Sequence, residues 1–448
     1  MSDSEGQSLL ASTRNGSHEC LDSISRTKSN DDLPPTDTGK DAWLCLAACF
    51  LIEAILWGIP FSFGIFEEYY NTHPPFSTHN GAGIASIGTS ATGLMYFGAP
   101  VVSYVLHRWH HTRRFSSAIG LIITTIALVT ASFADTVWEL ILTQGILYGI
   151  GGSLLYNPMI FYLDGWFDRR KGLAFGILWA GTGISGTVMP LIIDWVLQNH
   201  GLIITLRAWA FGMFALAAPL VYFTKPRVPP SRIHKSEHSS SDFAFLATST
   251  FWTLEICNVI ESLGYFMPLI YLPSYAISVG QDHFIGTLAI SLINFAAVTG
   301  NIMTGALIDH LHITTVILIL TTGSAVVVLV GWGLAVSKIS ILAFSVLYGL
   351  FAGGFKSTWA GSAMEVKKLG HEVEMGVIMG LFPAGRGLGA IISGPVSEGL
   401  LGLGFGGEGA GYGFGTAFGV LIAFTGLTAL VSGYPWVFRA CGLGVWRD

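Results

Sequence analysis

The segment Gly172–Gly183, GLAFGILWAGTG, returns about 200 residues later as Gly376–Gly387, GVIMGLFPAGRG. Glycine or alanine occupies the same place in both copies at the first, fifth, ninth, tenth and twelfth positions. Small residues at such spacing let helices approach one another closely inside a membrane. The pair therefore predicts that the chain contains one helical unit twice.

Two further matches extend the repeat in the same order along the chain. Leu147-Tyr148-Gly149 recurs as Leu347-Tyr348-Gly349, and Ile87-Gly88-Thr89 recurs as Ile285-Gly286-Thr287. If each copy crosses the membrane six times, both copies share one orientation and are related by an axis along the membrane normal. This organisation is typical of alternating-access carriers.

The composition places these helices in a membrane. Of the 448 residues, 51% are hydrophobic and only 11% are charged, whereas soluble domains carry roughly 25% charged residues. Mean hydropathy is +0.59. These values exclude an ordinary cytosolic enzyme, and 22 basic residues against 28 acidic ones, with a net charge of -6, argue against nucleic acid as a partner.

Twelve apolar runs are long enough to cross a hydrocarbon core, which needs about 20 residues in a helix. We call them the first to twelfth spans, and they are expected at Trp43–Tyr69, Ile84–Leu106, Ser116–Ala134, Val137–Leu163, Gly172–Leu197, Ala208–Phe223, Phe251–Ile277, Phe284–Ile308, Thr314–Val336, Ser340–Met364, Met375–Leu400 and Tyr412–Val437. The sixth run is short. The predicted fold class is an all-α integral membrane protein with twelve transmembrane helices in two six-helix bundles.

Basic residues predict the orientation of the spans. The loops on one side hold twelve lysines and arginines, and the loops on the other side hold two, Arg207 and Lys338. Because basic loops stay in the cytosol, both termini are expected there, in the plasma membrane or, alternatively, in a vacuolar or other internal membrane.

This reading divides the chain into five parts. Residues 1–40 are expected to form a disordered cytosolic tail, because they contain no apolar run. Residues 41–224 form the amino-terminal bundle, 225–250 a cytosolic linker, 251–438 the carboxy-terminal bundle, and 439–448 a short cytosolic tail.

Several motifs resemble those of a known family. Tyr162–Gly181 is similar to the signature that enters the fifth span of monocarboxylate-porter-type proteins of the major facilitator superfamily, and Asp41-Ala42-Trp43 resembles the motif that opens their first span. Tyr348–Gly354, Ala384–Gly387 and Ser393–Glu398 resemble a fungal branch of that group. The resemblance implies a secondary carrier; some members move monocarboxylates with protons, and others move riboflavin or export fungal secondary metabolites.

Two departures from the family pattern argue against a lactate or pyruvate porter. Those members carry a lysine after the Gly-hydrophobic-Pro step of the first span, but Gly58-Ile59-Pro60 is followed here by Phe61. They also carry an arginine with a nearby aspartate in the eighth span, where this chain reads Gly300-Asn301-Ile302.

Four charged residues fall deep inside predicted spans. Lys356, Arg386, Glu53 and Glu261 lie roughly 13 to 16 Å from a membrane surface, at about 1.5 Å per residue, and a charge at that depth costs about 2.5 to 3.5 kcal/mol. We expect Arg386 or Lys356 to bind an anionic group of the substrate and Glu53 or Glu261 to carry an exchangeable proton. The alternative is that the glutamates only pair with the two cations and lock the halves together.

Other polar and aromatic residues are weaker candidates. Asn294, Tyr148 and Trp57 are proposed to line the substrate site, although hydrogen bonds or packing between helices explain such residues equally well. No metal site or cofactor is expected, because the histidines of the loop that contains His107 lie among arginines.

A second set lies at the inner ends of the spans. Asp164, Asp168, Arg169, Arg170 and Asp309 are expected to set topology and to take part in gating. Arginines beside short inner loops anchor orientation, and the two signs of charge allow ion pairs between them.

The sequence therefore predicts a secondary active transporter, not an enzyme, that moves a small organic molecule, expected to be anionic, by alternating access. Proton coupling and export of a secondary metabolite are expected. An importer of a monocarboxylate or riboflavin-like nutrient is one alternative, and a non-transporting membrane nutrient sensor is another. The expected partners are the small-molecule substrate, protons and membrane lipid, with a monomer as the working unit.

Overall fold

The computed structural model describes residues 34–79, 83–227, 243–369, 374–403 and 412–442. Within these residues the chain is helical and has no strands. Its helices are Lys40–Leu56, Gly58–Phe61, Phe63–Thr72, Ile84–Arg108, Arg113–Ala131, Val137–Leu140, Tyr148–Trp166, Lys171–Phe223, Ser249–Ser278, His283–Ile308, Ile313–Val326, Lys338–Phe351, Thr358–Lys367, Met375–Gly402, Gly419–Val431 and Tyr434–Ala440. Two π-helical turns, Ile141–Leu147 and Val327–Trp332, complete the fourth and ninth spans.

Nine helices in the described parts of the chain are long and apolar enough to cross a membrane. The first span is not among them because it is broken into three short helices, and the second span, Ile84–Arg108, also falls outside the set. The fifth and sixth spans count as one because they form a continuous helical stretch, Lys171–Phe223. Adding the first and second spans, and counting the fifth and sixth separately, gives the predicted twelve spans.

The sixth span is longer than the sequence predicted. A single break at Gly201, with φ 77° and ψ 174°, separates it from the fifth, and only glycine adopts this backbone conformation readily. Arg207, which we had placed in an outer loop, lies inside the sixth span. Its Nε donates to Ser132 Oγ at 2.9 Å, and its guanidinium lies 4.4 Å from the Phe133 ring.

The first span breaks where a proline removes a backbone donor. Pro60 has no N–H to give to the carbonyl of Leu56, four residues earlier. The Tyr148 hydroxyl of the fourth span donates to that carbonyl instead, at 2.6 Å. Tyr148 is completely buried, so it acts here as a brace between the first and fourth spans.

The internal repeat appears in three dimensions as equivalent contacts. Tyr348, the counterpart of Tyr148, donates to the Tyr265 carbonyl of the seventh span at 3.1 Å. Gly149 packs against the second span at Ala91, and Gly349 packs against the eighth span at Ile293. The two halves, spans one to six and seven to twelve, thus repeat the same packing.

The halves meet most closely toward the end where the basic loops lie, which we call the inner end. Gly176 of the fifth span packs against Asn301 and Gly305 of the eighth. Gly380 of the eleventh span packs against Ser103 of the second. These glycines give close contact between backbones, because a side chain at either position would overlap its neighbour.

Toward the outer end the second and eleventh spans separate. Gly387 still packs against Tyr96. Gly394 lies seven residues further on the same helical face, and Gly93 lies three residues before Tyr96. A Cβ atom built on either glycine would meet no heavy atom within 4 Å. The second and eleventh spans are therefore in contact at the inner end and apart at Gly93 and Gly394.

The final residues of the predicted tail are folded, which differs from our expectation for 1–40. Asp37 is buried, and its N–H donates to the Trp166 carbonyl at 3.0 Å. Helix formation starts at Lys40. Residues 1–33, residues 228–242 of the predicted linker and residues 443–448 of the predicted end lie outside the described residues.

Candidate functional site

Arg386 forms a buried ion pair. Its Nη1 lies 3.2 Å from Glu261 Oε2, and the two side chains are 1% and 7% exposed. The guanidinium lies 4.1 Å from the Tyr265 ring centroid and 5.4 Å from that of Phe266. The eleventh span therefore presents Arg386 mainly to the seventh span, within the carboxy-terminal half.

Lys356 faces the other half of the molecule. It lies in a 3-10 turn, Gly353–Ser357, that interrupts the tenth span. Its Nζ donates to the Thr182 hydroxyl of the fifth span at 2.7 Å and lies 5.9 Å from the Trp57 ring centroid. A neutral hydroxyl is thus the direct hydrogen-bond partner of this buried cation.

Glu53 is fully buried, and its two carboxylate oxygens have no hydrogen-bond partner among the described residues. It shares a small cavity with Lys356 at the meeting of the two halves. The cavity has a volume of about 10 Å³, room for about one water molecule. Its lining is Glu53, Trp57, Tyr96, Tyr156, Trp179, Lys356, Trp359 and Pro383.

The two glutamates occupy equivalent places in the repeat. Glu53 precedes Trp57 by one helical turn in the first span, and Glu261 precedes Tyr265 by one turn in the seventh. Lys356 lies near the Trp57 ring, and Arg386 lies over the Tyr265 ring. Of these two cation–glutamate sets, Arg386 and Glu261 form a direct ion pair within 4 Å, whereas Lys356 and Glu53 do not.

The four charges act on one another as a single group. Lys356 interacts electrostatically with Arg386, Glu53 and Glu261. With both acids ionised the cluster is neutral overall. If one carboxylate were protonated, the cluster would have an excess positive charge in a site of low polarity, which would favour an anion.

The buried indole N–H groups around the cavity differ in their hydrogen-bond partners. The Trp359 indole donates to Asn258 Oδ1 at 2.9 Å, and Asn258 in turn donates to the Phe382 carbonyl at 2.7 Å. The Trp179 indole has no hydrogen-bond partner among the described residues, and the Trp57 indole interacts with the Glu53 carboxylate without reaching hydrogen-bond geometry. Both donors remain available at the cavity.

The other substrate-site candidates lie elsewhere. Asn294 donates to the Ile290 carbonyl of its own helix at 3.1 Å and packs against Gly186, where the fifth and eighth spans meet. Tyr148 braces the break at Leu56. Of the candidates named for the substrate site, the structure brings Trp57 to the cavity beside Lys356.

Glu255 is a further buried acid of the seventh span. It lies four residues from the predicted start of that span, a position typical of a side chain at the membrane interface. It is nevertheless 8% exposed and lies against Gly385 of the eleventh span, next to Arg386 in the chain. Spacing along one helix does not reveal such a neighbour.

At the inner end, two aspartates accept hydrogen bonds from the start of the fifth span. Asp309 of the other half accepts from the N–H groups of Gly172 and Leu173 at 2.7 and 2.9 Å. Burial raises the pKa of Asp309, although these two donors oppose that effect. An acid at a helix amino terminus is stabilised by the helix dipole, so Asp309 joins the halves.

Asp37 binds the short loop before the fifth span in the same way. It accepts from the N–H groups of Asp168, Arg169 and Arg170 at 2.9 to 3.0 Å. Burial alone would raise the pKa of Asp37, but these donors outweigh it and the pKa is lowered. The side chains of all three loop residues are exposed.

The remaining gating candidate, Asp164, pairs with Lys171 of its own half at 2.6 Å. Both side chains are largely buried at the inner end. This pair joins the end of the fourth span to the start of the fifth, and it therefore stabilises the basic loop between them.

Glu374 joins the halves at the start of the eleventh span. Its carboxylate accepts a hydrogen bond from Arg113, and it lies 2.9 Å from His107 Nδ1 and 3.5 Å from His110 Nε2. Burial alone would raise the pKa of Glu374, but the two histidines and the charge of Arg113 hold it well below its usual value. We call Glu374, His107, His110 and Arg113 the inner latch.

The latch atoms of His107, His110 and Glu374 lie within 4.8 Å of one another, a spacing that a metal ion could bridge. Arg113 already binds the same carboxylate, and its positive charge opposes a cation there. The arrangement fits an ion-pair network between the halves.

Replacing Glu374 with glutamine is expected to shift the molecule toward opening at the inner end, because a charge-assisted contact of about 1.5 to 3 kcal/mol is lost. The pKa of Glu374 is lowered from the ordinary glutamate pKa of 4.5. The latch is therefore fully formed above pH 4.5 and weakens only as the pH falls through the lowered pKa. Double electron–electron resonance distances between spin labels at R114C and K367C, in a background with C20S and C441S, report the opening. E68Q, at an exposed glutamate toward the outer end of the first span, is the control; equal distances in E374Q and the parent would contradict this role.

Comparison with known proteins gives a consistent result. The family model described as Major Facilitator Superfamily matches residues 42–395. The MFS-type transporter pynF of Aspergillus niger is 28% identical over 372 residues, which cover 82% of this chain and 83% of that protein. The agnestins efflux protein AgnL12 of Paecilomyces divaricatus is 27% identical over 382 residues, covering 85% of this chain and 87% of that protein.

A solved structure shows the same fold. The proton:xylose symporter XylE, bound to 6-bromo-6-deoxy-D-glucose, superposes with a TM-score of 0.64 over 89% of this chain and 95% of that one. The two sequences are 13% identical. At this level of identity the likeness establishes the architecture and carries no information about the ligand.

Proposed function

This chain belongs to the major facilitator superfamily, and from that membership we propose that it is a proton-coupled carrier that exports a small organic anion, a secondary metabolite, by alternating access. The observation that carries the proposal is the buried pair Lys356 and Glu53, which face one small cavity from opposite halves. Motion of one half against the other would expose that cavity to each side in turn.

Lys356 is the better anion-binding group of the two buried cations. Arg386 already has an acidic partner, the Glu261 carboxylate at 3.2 Å, and an aromatic ring at 4.1 Å, although its Nε and Nη2 have no hydrogen-bond partner among the described residues. Lys356 has a hydroxyl partner only, and that partner belongs to the opposite half. An anion at Lys356 would therefore contact both halves, as the occupant of an alternating-access site must.

The same geometry links the anion to a proton. The positive charge of Lys356 acts on the Glu53 carboxylate. A substrate anion that binds Lys356 therefore competes with Glu53 for the charge of Lys356. An uncompensated buried charge costs several kcal/mol, and Glu53 avoids that cost by taking up a proton. Anion and proton then occupy the site together and leave together.

Export is favoured by the relatives. AgnL12 is named an efflux protein, and the chain covers most of its length. Under co-binding, the concentration gradient of a metabolite made inside the cell drives the export of the anion with a proton. We place the carrier in the plasma membrane, as a monomer with both termini in the cytosol, and with the two bundles and linker at the boundaries predicted from sequence.

Efflux from proteoliposomes tests this function. We expect preloaded naphthalene-2-sulfonate, a permanently charged anion, to leave vesicles with protein at least tenfold faster than vesicles without it. Acidifying the lumen should accelerate its efflux, because Glu53 is then loaded with a proton on the side from which the anion departs. Efflux equal to that of protein-free vesicles, or indifferent to the lumen pH, would refute the proposal.

A further inference from the structure

We propose that the central site selects planar aromatic anions that carry several acceptor oxygens, as a hydroxylated aryl carboxylate does. The inference rests on the proposed function, because it names the substrate class of the same site. It comes from the juxtaposition of flat aromatic walls, one cation with free N–H groups and two buried indole donors around a single cavity. In the described conformation this cavity has room for about one water molecule, so an aromatic ligand enters as the two halves move apart.

Aromatic residues form most of the cavity wall. Trp57 and Tyr96 lie with ring centroids 5.4 Å apart at 41° on one side. Trp179 and Trp359 lie 5.3 Å apart at 77° on another and join the two halves. Tyr156 completes the aromatic lining. Such faces favour a flat ring over a saturated one of the same size, because stacking requires π-surface on both partners.

The polar groups of the cavity are mainly unused donors. Lys356 has three N–H bonds and gives one of them to Thr182. The indole N–H groups of Trp57 and Trp179 reach hydrogen-bond geometry with no acceptor among the described residues. Once Glu53 is protonated, its carboxyl group keeps a single carbonyl oxygen as an acceptor, so the donors of the cavity outnumber the acceptors of that group. A ligand with a carboxylate and an adjacent hydroxyl or carbonyl oxygen would satisfy them, whereas a ligand with few oxygens would leave them unpaired.

Charge excludes the opposite ligand class. An aromatic ammonium could in principle approach the Glu53 carboxylate. Lys356 lines the same cavity, and Arg386 adds a second positive charge nearby. With Glu53 protonated the cluster has an excess positive charge, which repels an ammonium group, so the aromatic walls serve an anion.

Ligand binding to the purified full-length protein in nanodiscs tests the class. The probes are salicylate, cyclohexanecarboxylate and benzylamine, with affinities taken from calorimetry. We expect salicylate to bind at least tenfold more tightly than cyclohexanecarboxylate and benzylamine to show no binding. Equal affinity of the ring and its saturated analogue, or tighter binding of benzylamine, would overturn the inference while leaving the carrier function standing. Failure of both carboxylates to bind would count against the anion site itself.

Single substitutions test the two indoles separately from the rings. W57F and W179F keep an aromatic wall and remove one donor each, so each should weaken salicylate binding about tenfold and affect cyclohexanecarboxylate less. W332F is the matched control. The Trp332 indole is also buried without a partner among the described residues, but it packs against Tyr275 and Phe344 within the carboxy-terminal half and does not line the cavity. Losses of equal size in all three variants, or no loss in either W57F or W179F, would refute a role of the indoles in recognition.

Discussion

Replacing Lys356 with methionine is expected to lower the affinity for an aromatic anion by roughly 10- to 150-fold. The estimate is the loss of a charge-assisted hydrogen bond, about 1.5 to 3 kcal/mol. Methionine retains much of the length and apolar stem of lysine, so the packing against Trp57 and Phe61 should survive. Calorimetric titration with salicylate, and the efflux rate in proteoliposomes, measure the effect.

Two further variants, K356R and K338M, serve as controls for K356M. K356R keeps the charge and should retain more affinity than K356M. K338M removes an exposed lysine at the outer end and should leave binding unchanged. If K356M binds salicylate as tightly as the parent, Lys356 is not the anion-binding group, and Arg386 becomes the candidate.

Replacing Arg386 with methionine is expected to destabilise the fold by about 3 to 5 kcal/mol, because Glu261 would remain buried without its partner. The double variant R386M/E261M removes both charges and should recover most of that loss. Chemical or thermal unfolding in detergent measures stability. Salicylate binding to the double variant separates a structural pair from a binding residue.

The outcome decides between the two readings of Arg386. A stable double variant that still binds salicylate makes Arg386 and Glu261 a structural pair, as the 3.2 Å contact indicates. A stable double variant that has lost binding makes Arg386 part of the substrate site. K368M is the control, because its pair with Glu365 involves a 68% exposed lysine and is worth at most about 1 kcal/mol.

The sequence predicted the architecture because its determinants are local. Apolar length, basic loops and the Leu147-Tyr148-Gly149 repeat are read along one helix at a time. The repeat was confirmed down to the equivalent hydroxyl contacts of Tyr148 and Tyr348. The short sixth span was wrong, since the turn depends on the backbone conformation of Gly201, which hydropathy does not register.

The site could be predicted only in part. Depth along a helix identified Lys356, Arg386, Glu53 and Glu261 as buried charges. Depth does not tell which helix faces meet across the two halves, and hence which cation pairs with which acid. Thr182, the hydroxyl partner of Lys356, carried no signal of its own beyond its place in the repeated segment.

The contacts of Asp37 and Glu374 at the inner end were missed for a different reason. Asp37 and Glu374 lie in connecting segments, where spacing has no helical period to interpret. Their partners are backbone N–H groups and side chains far away in sequence, such as Arg113. An acid that binds a helix start or a loop has the same sequence context as an ordinary solvent-exposed acid.

The most direct test of the account follows lumen pH while the anion moves. A pH indicator trapped with naphthalene-2-sulfonate should report that the lumen becomes more alkaline as the anion leaves, because the sulfonate carries no proton and Glu53 supplies one per cycle. E53Q should move the anion without that change. Anion efflux through the unmodified protein at constant lumen pH would contradict co-binding of anion and proton at Lys356 and Glu53.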